Sequence, residues 1–127
     1  MVATTLRRGA VAALAAATVL AFPATSAGDT KRVRAEGTVG SFRWDPSFRH
    51  IVKGDRIVWK NTTNAAHRVK SYGGNWSFKK DLPVDGRVRK RFRKRGTFRY
   101  RCTLPGHSNL DSGDCTGMCG VIHVTRN

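Results

Sequence analysis

The chain has 127 residues, which is enough for one small domain and excludes a multidomain architecture. Its 24 lysines and arginines against 8 aspartates and glutamates give a formal net charge of +16. A balance this basic indicates anionic partners, such as an acidic protein or an anionic component of the cell surface.

Residues 1–27 have the pattern of a signal peptide that is removed on export. Arg7 and Arg8 precede an apolar run at residues 10–22, and small residues follow that run. The run is too short and too rich in alanine for a membrane span. We therefore expect an exported protein, periplasmic, cell-surface or secreted, with a mature domain at residues 28–127 and no transmembrane segment. Loss of Arg7 and Arg8 lowers the formal net charge from +16 to +14.

Short runs of alternating apolar and polar residues follow in the mature chain and predict an all-β domain. The first is an edge strand that begins at residues 31–35 and leads to a turn at Asp45 and Pro46. Further strands are predicted at residues 48–52, 56–60, 65–70, 87–93, 97–102 and 121–124. Ile57 and Trp59 share the face that we assign to the core. Many short strands separated by turns, without helical periodicity, indicate a β-sandwich.

The most basic segment is RVRKRFRKR at residues 87–95. If its strand forms a hairpin with the strand at residues 97–102, arginines gather on one outer face. The six arginines are Arg87, Arg89, Arg91, Arg93, Arg99 and Arg101. This basic face is either a solvated surface or a surface that steers the protein towards an acidic redox partner or an anionic cell-surface component. Nucleic acid is not expected as a partner of an exported protein.

Three side chains with soft or borderline donor atoms lie near the C-terminus. Cys102 offers a thiol, His107 an imidazole and Met118 a thioether, between two β-like runs. Thiolate and thioether suit Cu(I), and imidazole suits both oxidation states of copper. A second imidazole is expected upstream, and His67 is well placed to supply it.

These residues carry a resemblance to a known family. GTFRYRC at residues 96–102, then His107, then GMCGVIHV at residues 117–124 resemble the C-terminal signature of plastocyanin- and azurin-like cupredoxins. Residues 48–69 resemble the first-histidine region of that family. The resemblance implies a cupredoxin-like Greek-key β-sandwich of about seven to eight strands. One feature departs from the family, because ten residues separate His107 from Met118 where the common loops are shorter.

The resemblance also implies a type 1 blue copper site and a function. His67, Cys102 and His107 are expected to hold one copper ion in a trigonal plane, with Met118 as a weak axial ligand. The implied function is one-electron transfer by a monomer, without enzymatic turnover. Leu104, beside Pro105 and Gly106, is expected to contribute to an apolar docking rim next to His107.

The other two cysteines, Cys115 and Cys119, are free to form a disulfide if Cys102 binds a metal. Such a bridge would hold the long insertion beside Met118, and two reduced thiols are the alternative. His50 and His123 are expected to be hydrogen-bonded or surface histidines.

Other functions stay open from the sequence. Cys115, Cys119 and His123 have the spacing of a binuclear copper centre, although that assignment leaves Cys102 and His107 without a role. Catalytic zinc would need a general base, and only Asp111 and Asp114 lie near the ligands in sequence. Copper storage or delivery without electron transfer, and a cationic surface-binding module, are the remaining alternatives.

Overall fold

The computed structural model describes residues 28–126, which form strands and connecting loops without a helix. The strands are β1 (Thr30–Glu36), β2 (Arg43–Asp45), β3 (Phe48–Val52), β4 (Arg56–Asn61), β5 (His67–Tyr72), β6 (Lys79–Leu82), β7 (Arg87–Arg91), β8 (Gly96–Arg101), β9 (Ser108–Asp111), β10 (Asp114–Gly117) and β11 (Cys119–Thr125). No segment of this part of the chain is a helix long and apolar enough to cross a membrane. The predicted signal peptide, residues 1–27, lies outside the described residues.

Two sheets make the sandwich. The first sheet has the strand order β2-β1-β4-β7, and the second has the order β3-β11-β8-β5-β6. Inward side chains of both sheets share one core, with Trp59 and Val88 from the first sheet and Tyr100 and Ile122 from the second. The prediction of an all-β sandwich is confirmed. The structure has four strands that were not predicted. β2 and β6 are too short to show a clear alternation, and β9 and β10 form a separate hairpin.

The sequence predicts the first strand at an edge, and the structure corrects this position. β1 lies between β2 and β4, antiparallel to β2 and parallel to β4. Its inward residues Val33 and Ala35 are fully buried, with exposed fractions of 0%. The segment containing Arg43 turns back and pairs with β1, so β2 takes the edge position.

The predicted hairpin between residues 87–93 and 97–102 is also wrong. β7 pairs with β4 in the first sheet, whereas β8 pairs with β5 and β11 in the second. The connection crosses the core, where the rings of Phe92 and Phe98 pack with their centroids 5.3 Å apart. Alternation identifies the buried face of a strand but does not identify the strand beside it.

The six arginines therefore do not share one face. The three on β7 point outward from the first sheet, and the two on β8 point outward from the second. The sixth arginine lies in the exposed loop between these strands. They are Arg87, Arg89 and Arg91, then Arg99 and Arg101, then Arg93.

Candidate metal centre

Adjacent strands of the second sheet position two of the predicted ligands. His67 is the first residue of β5, and Cys102 directly follows β8, which pairs with β5 in antiparallel register. Cys102 is 0% exposed and His67 is 1% exposed. His107 lies in the loop between β8 and β9 and is only partly buried. The strand ends thus fix two donors, and a loop brings the third towards the surface.

The donor atoms of these three residues form a compact triangle. His67 Nδ1 lies 3.1 Å from His107 Nδ1, and Cys102 Sγ lies 3.8 Å and 3.3 Å from the two nitrogens. Among residues 28–126, this is the one cluster of three or more His, Cys, Asp or Glu donors close enough to share a metal ion. A metal about 2.0 Å from each imidazole nitrogen and 2.3 Å from a thiolate separates such donors by about 3.1–3.8 Å when the angles at the metal are about 100–125°. The triangle therefore fits a first-row metal ion.

Burial shifts the protonation of two donors in opposite directions. Burial, with a smaller electrostatic contribution from His107, lowers the pKa of His67 from 6.5 to about 4. The imidazole is consequently neutral, and able to bind a metal, at neutral pH. Burial raises the pKa of the Cys102 thiol, although backbone donors at Leu104 and Arg68 partly offset this effect. A metal must therefore displace the thiol proton when it binds.

A hydrogen-bonded turn at residues 61–65 orients the ring of His67. Thr63 Oγ1 lies 2.7 Å from His67 Nε2 and has acceptors of its own, Asn61 Oδ1 at 2.8 Å and Ala65 O at 3.0 Å. Because the hydroxyl proton goes to one of these acceptors, the hydroxyl accepts from a protonated Nε2. That tautomer leaves the lone pair of Nδ1 directed at the donor triangle. The buried amide of Asn61 also donates to the carbonyl of Leu82, which anchors the turn.

Two further contacts surround the donors. The backbone N–H of Arg68 donates to Cys102 Sγ at 3.3 Å. The ring of Phe42 packs against His67 and His107, with centroid distances of 4.7 Å and 4.9 Å. The sequence did not identify Phe42 or Thr63 as site residues. No local pattern indicates them, because Phe42 reaches the site from the loop before β2.

Met118 lies beside the triangle despite its distance along the chain. Its backbone N–H donates to His107 O at 2.8 Å, and its carbonyl accepts from the backbone N–H of Cys102 at 3.1 Å and from Trp44 Nε1 at 3.1 Å. The side chain is 0% exposed. The ten inserted residues, 108–117, form the β9–β10 hairpin, in which Ser108 pairs with Gly117. The two ends of the insertion therefore lie next to each other. The insertion projects as a hairpin and leaves the backbone of Met118 next to His107.

The remaining cysteines and histidines lie outside the triangle. Cys115 and Cys119 form a disulfide that ties β10 to the start of β11. Both thiols are used in that bridge, so neither is free for a binuclear centre with His123. His50 and His123 bond to the hydroxyls of Thr125 and Thr97, at 2.7 Å and 3.1 Å. The carboxylates of Asp111 and Asp114 are exposed on the hairpin and take no part in the donor cluster.

No protein-family model matches the chain, and no curated protein is significantly similar to it in sequence. Solved structures do match its fold. A purple cupredoxin from Nitrosopumilus maritimus has 17% sequence identity and a TM-score of 0.58, and the match covers 74% of this chain and 98% of that one. The reduced form of an amicyanin variant has 18% identity and a TM-score of 0.59, over 75% of this chain and 81% of that one. The Cu(I) form of another amicyanin variant has 18% identity and a TM-score of 0.57 over the same shares. These matches, together with the sheet order and the core, show that the chain has the cupredoxin fold.

Proposed function

We propose that this protein is a cupredoxin that carries single electrons on one bound copper ion. The observation that supports this function most strongly is the triangle of two imidazole nitrogens and one buried sulfur at one end of the sandwich. His67, Cys102 and His107 are the three strong ligands in this proposal. Met118, whose backbone is hydrogen-bonded to both Cys102 and His107, would supply a thioether as the fourth ligand.

The donor types favour copper over the other metals that would fit the triangle. Thiolate and thioether are soft ligands that suit Cu(I), and imidazole binds Cu(II) as well. Copper also exceeds zinc in affinity for a given set of nitrogen and sulfur donors. A thioether from Met118 adds nothing to a zinc site, whose usual ligands are sulfur from Cys, nitrogen from His and oxygen from carboxylates.

Bound copper supplies a centre that accepts and releases one electron, and the protein keeps the ligands in one arrangement during that change. Thr63 fixes the tautomer of His67. The N–H of Arg68 stabilises negative charge on Cys102 Sγ. Phe42 and the core exclude water from the buried ligands. Little rearrangement is therefore needed when the charge at the site changes.

Electrons are proposed to enter and leave at the partly exposed ring of His107. Pro105 and Gly106 are exposed beside it, and Leu104 is partly buried against the core. An acidic redox protein is the partner that this surface favours, because an apolar rim on a strongly cationic molecule supports a brief, salt-sensitive encounter. Transfer of electrons, rather than turnover of a substrate, is the proposed role.

Export is part of the proposal. The disulfide between Cys115 and Cys119 supports an oxidising compartment, since such bridges are rare in the cytosol. The composition of residues 1–27 supports the same conclusion, with a mature domain at residues 28–127.

Addition of Cu(II) to purified residues 28–127 tests the copper site. We expect one copper ion per chain and intense visible absorption from charge transfer between sulfur and copper. Cys102→Ser should abolish the absorption, whereas the double variant Cys115→Ser/Cys119→Ser should keep it. Two copper ions per chain, or absorption that survives Cys102→Ser, would contradict the proposed site.

Voltammetry of the copper-loaded protein then tests electron transfer. We expect a reversible one-electron wave and retention of the metal over repeated oxidation and reduction. Loss of copper to a competing chelator on each reduction would instead identify a protein for copper delivery.

A further inference from the structure

The outer face of the first sheet carries a regular array of cations. Three outward positions on each of β1, β4 and β7 lie side by side in register, and seven of the nine side chains are positively charged. The three rows are Thr30–Arg56–Arg91, Arg32–Val58–Arg89 and Arg34–Lys60–Arg87. This face points away from the second sheet, which positions His67 and Cys102, so it is distinct from the candidate metal centre.

A cup lies at the middle of the array. Val58 occupies the central position, and its neighbours are Arg32 and Arg89 across the strands and Arg56 and Lys60 along its own strand. Neighbouring positions are about 4.8 Å apart across strands and about 6.8 Å apart along one strand. A short valine surrounded by four long side chains leaves a concave site, and these residues line a groove in the surface. We call this ring of four cations around Val58 the cationic cup.

Few carboxylates in the described part of the chain neutralise the array. Among residues 28–126, Arg34 alone of the seven cations has a carboxylate within 4.0 Å, at 3.8 Å from Glu36. Asp45 lies opposite Arg34 at the edge of the sheet. Lys60 and Arg91 donate to main-chain carbonyl oxygens instead, at 2.6 Å and 2.8 Å.

Like charges also stand directly opposite one another in this array. Three register pairs are cationic on both sides, namely Arg34 with Lys60, Lys60 with Arg87, and Arg56 with Arg91. Such pairs destabilise a sheet. A bound polyanion would offset this repulsion, so all three rows of the array would contribute to the free energy of its binding.

We infer that the cationic cup binds the phosphate groups of a linear phosphate polymer, with Val58 as the floor of the site. Guanidinium groups match the geometry of phosphate oxygens and bind them in pairs of hydrogen bonds. A free phosphate carries at most two or three charges and leaves most of the array uncompensated. A polymer with phosphate in every repeat continues over the rows on either side of the cup.

Two other anionic partners, single-stranded nucleic acid and a lipid bilayer, fit this face less well. Its outward positions hold no aromatic side chain on which the bases of single-stranded nucleic acid could stack. They also offer no exposed apolar side chain to enter a lipid bilayer, since Val58 is only 9% exposed. A polymer bound here leaves the ring of His107 free at the end of the sandwich, so anchoring and electron exchange are compatible.

Binding of long-chain polyphosphate to residues 28–127, with and without copper, tests this inference. The triple variant Arg32→Gln/Arg56→Gln/Arg89→Gln should bind at least about tenfold more weakly, and the dependence of log K on log salt should fall by about three. The matched control Arg93→Gln/Lys94→Gln/Arg95→Gln removes the same charge from the exposed loop after β7. The affinity of this control for polyphosphate should fall by less than about threefold. Equal losses in the two variants would show diffuse attraction to net charge and overturn the site.

A second pair of variants tests the cup without changing charge. Val58→Phe fills the floor of the cup and should weaken binding about tenfold, whereas Val58→Thr keeps its size and should leave binding unchanged. Unchanged affinity in Val58→Phe would overturn the cup. Inorganic phosphate, single-stranded DNA and vesicles containing phosphatidylglycerol serve as competitors at equal phosphate concentration. We expect each to compete more weakly than polyphosphate, and stronger competition by any of them would overturn the choice of ligand.

The copper absorption of every variant separates this inference from the electron-carrier proposal. All of these substitutions lie outside the metal centre, so the absorption should stay unchanged. A chain that binds polyphosphate but not copper would refute the electron-carrier proposal alone.

Discussion

A single hydroxyl group determines which nitrogen of His67 faces the other donors. Thr63 Oγ1 contacts Nε2 at 2.7 Å, and the buried Asn61 holds Thr63 in place. Residues that bind the outer nitrogen of a ligating histidine fix its tautomer and its ring orientation. Thr63 should therefore contribute to metal affinity although it does not touch the metal.

Substitution of Thr63 tests this role. Thr63→Val keeps the shape and removes the hydroxyl, and we expect copper affinity to fall roughly 10- to 100-fold, the usual effect of losing such a partner. Thr62→Val is the matched control, since it removes a neighbouring hydroxyl that bonds Ala35 O and does not contact His67. Chelator competition measures both affinities. If the two variants bind copper equally well, Thr63 does not orient the ligand.

Residue types, their order along the chain and the resemblance to cupredoxins together predict the three donors that the structure brings together. Sulfur and imidazole are the donors that copper prefers, which indicates Cys102, His107 and His67, and the structure places them in one triangle. Thr63 and Phe42 could not be identified in this way. A threonine in a polar turn and a phenylalanine far from His67 in sequence become site residues only through tertiary contacts.

At the scale of one element, the β9–β10 hairpin explains how a long insertion is tolerated between two of the proposed ligands, His107 and Met118. Ser108 and Gly117 are opposite each other, and Met118 then bonds to His107. Gly117 has a φ of +87°, and a Cβ at this position would lie 2.7 Å from the carbonyl oxygen of His107. Only glycine permits this close approach of the two chain segments.

Two glycines of the hairpin allow a matched test of that contact. Gly117→Ala and Gly113→Ala both place a side chain at φ +87°, which costs about 1–2 kcal/mol, but nothing lies within 4 Å of a Cβ at Gly113. We expect the larger loss of unfolding free energy in Gly117→Ala, and a changed copper absorption in that variant alone. Denaturation in urea and visible spectra measure the two effects. Equal stability and identical spectra would mean that the close approach has no influence on the site.

The extent of most strands could be predicted from the sequence, but their neighbours could not. The predicted strand at residues 48–52 agrees with β3, and Ile57 and Trp59 of β4 are buried as expected. The predicted pairing of β7 with β8 was wrong because Val88 and Phe98 face one core from two different sheets. An apolar side chain indicates that one face of its strand is buried. That face is equally buried whether β7 and β8 pair in one sheet or lie in two facing sheets.

At the scale of the whole molecule, positive charge and a buried neutral histidine make folding sensitive to acid. Lysines and arginines outnumber aspartates and glutamates by 24 to 8 in the full sequence. Protonation of carboxylates at low pH therefore increases an existing self-repulsion. In the chain without copper, His67 adds a second effect, because its pKa is about 4 when folded and 6.5 when the imidazole is fully solvated, as in the unfolded chain.

The unfolding free energy of the metal-free chain should consequently fall as the pH falls. Between pH 6.5 and 4 the unfolded state binds a proton at His67 and the folded state does not, so protonation favours unfolding. The loss from this residue begins below pH 6.5, levels off below about pH 4 and amounts to roughly 3 kcal/mol. Urea denaturation across this range, compared with His67→Asn, isolates the contribution. Parallel pH profiles for the two proteins would contradict it.

The pleat of the second sheet has a consequence for how the three cysteines of this chain react under oxidising conditions. Cys119 is in register with Arg101, and both side chains point outward, whereas Cys102 comes one residue later and points into the core. Once β8 and β11 are paired, the sheet itself stands between Cys102 and Cys119. Oxidative folding can then join Cys115 to Cys119 and leave the third thiol unoxidised. The register of β8 with β11 therefore keeps the Cys102 thiol out of the disulfide even without a bound metal.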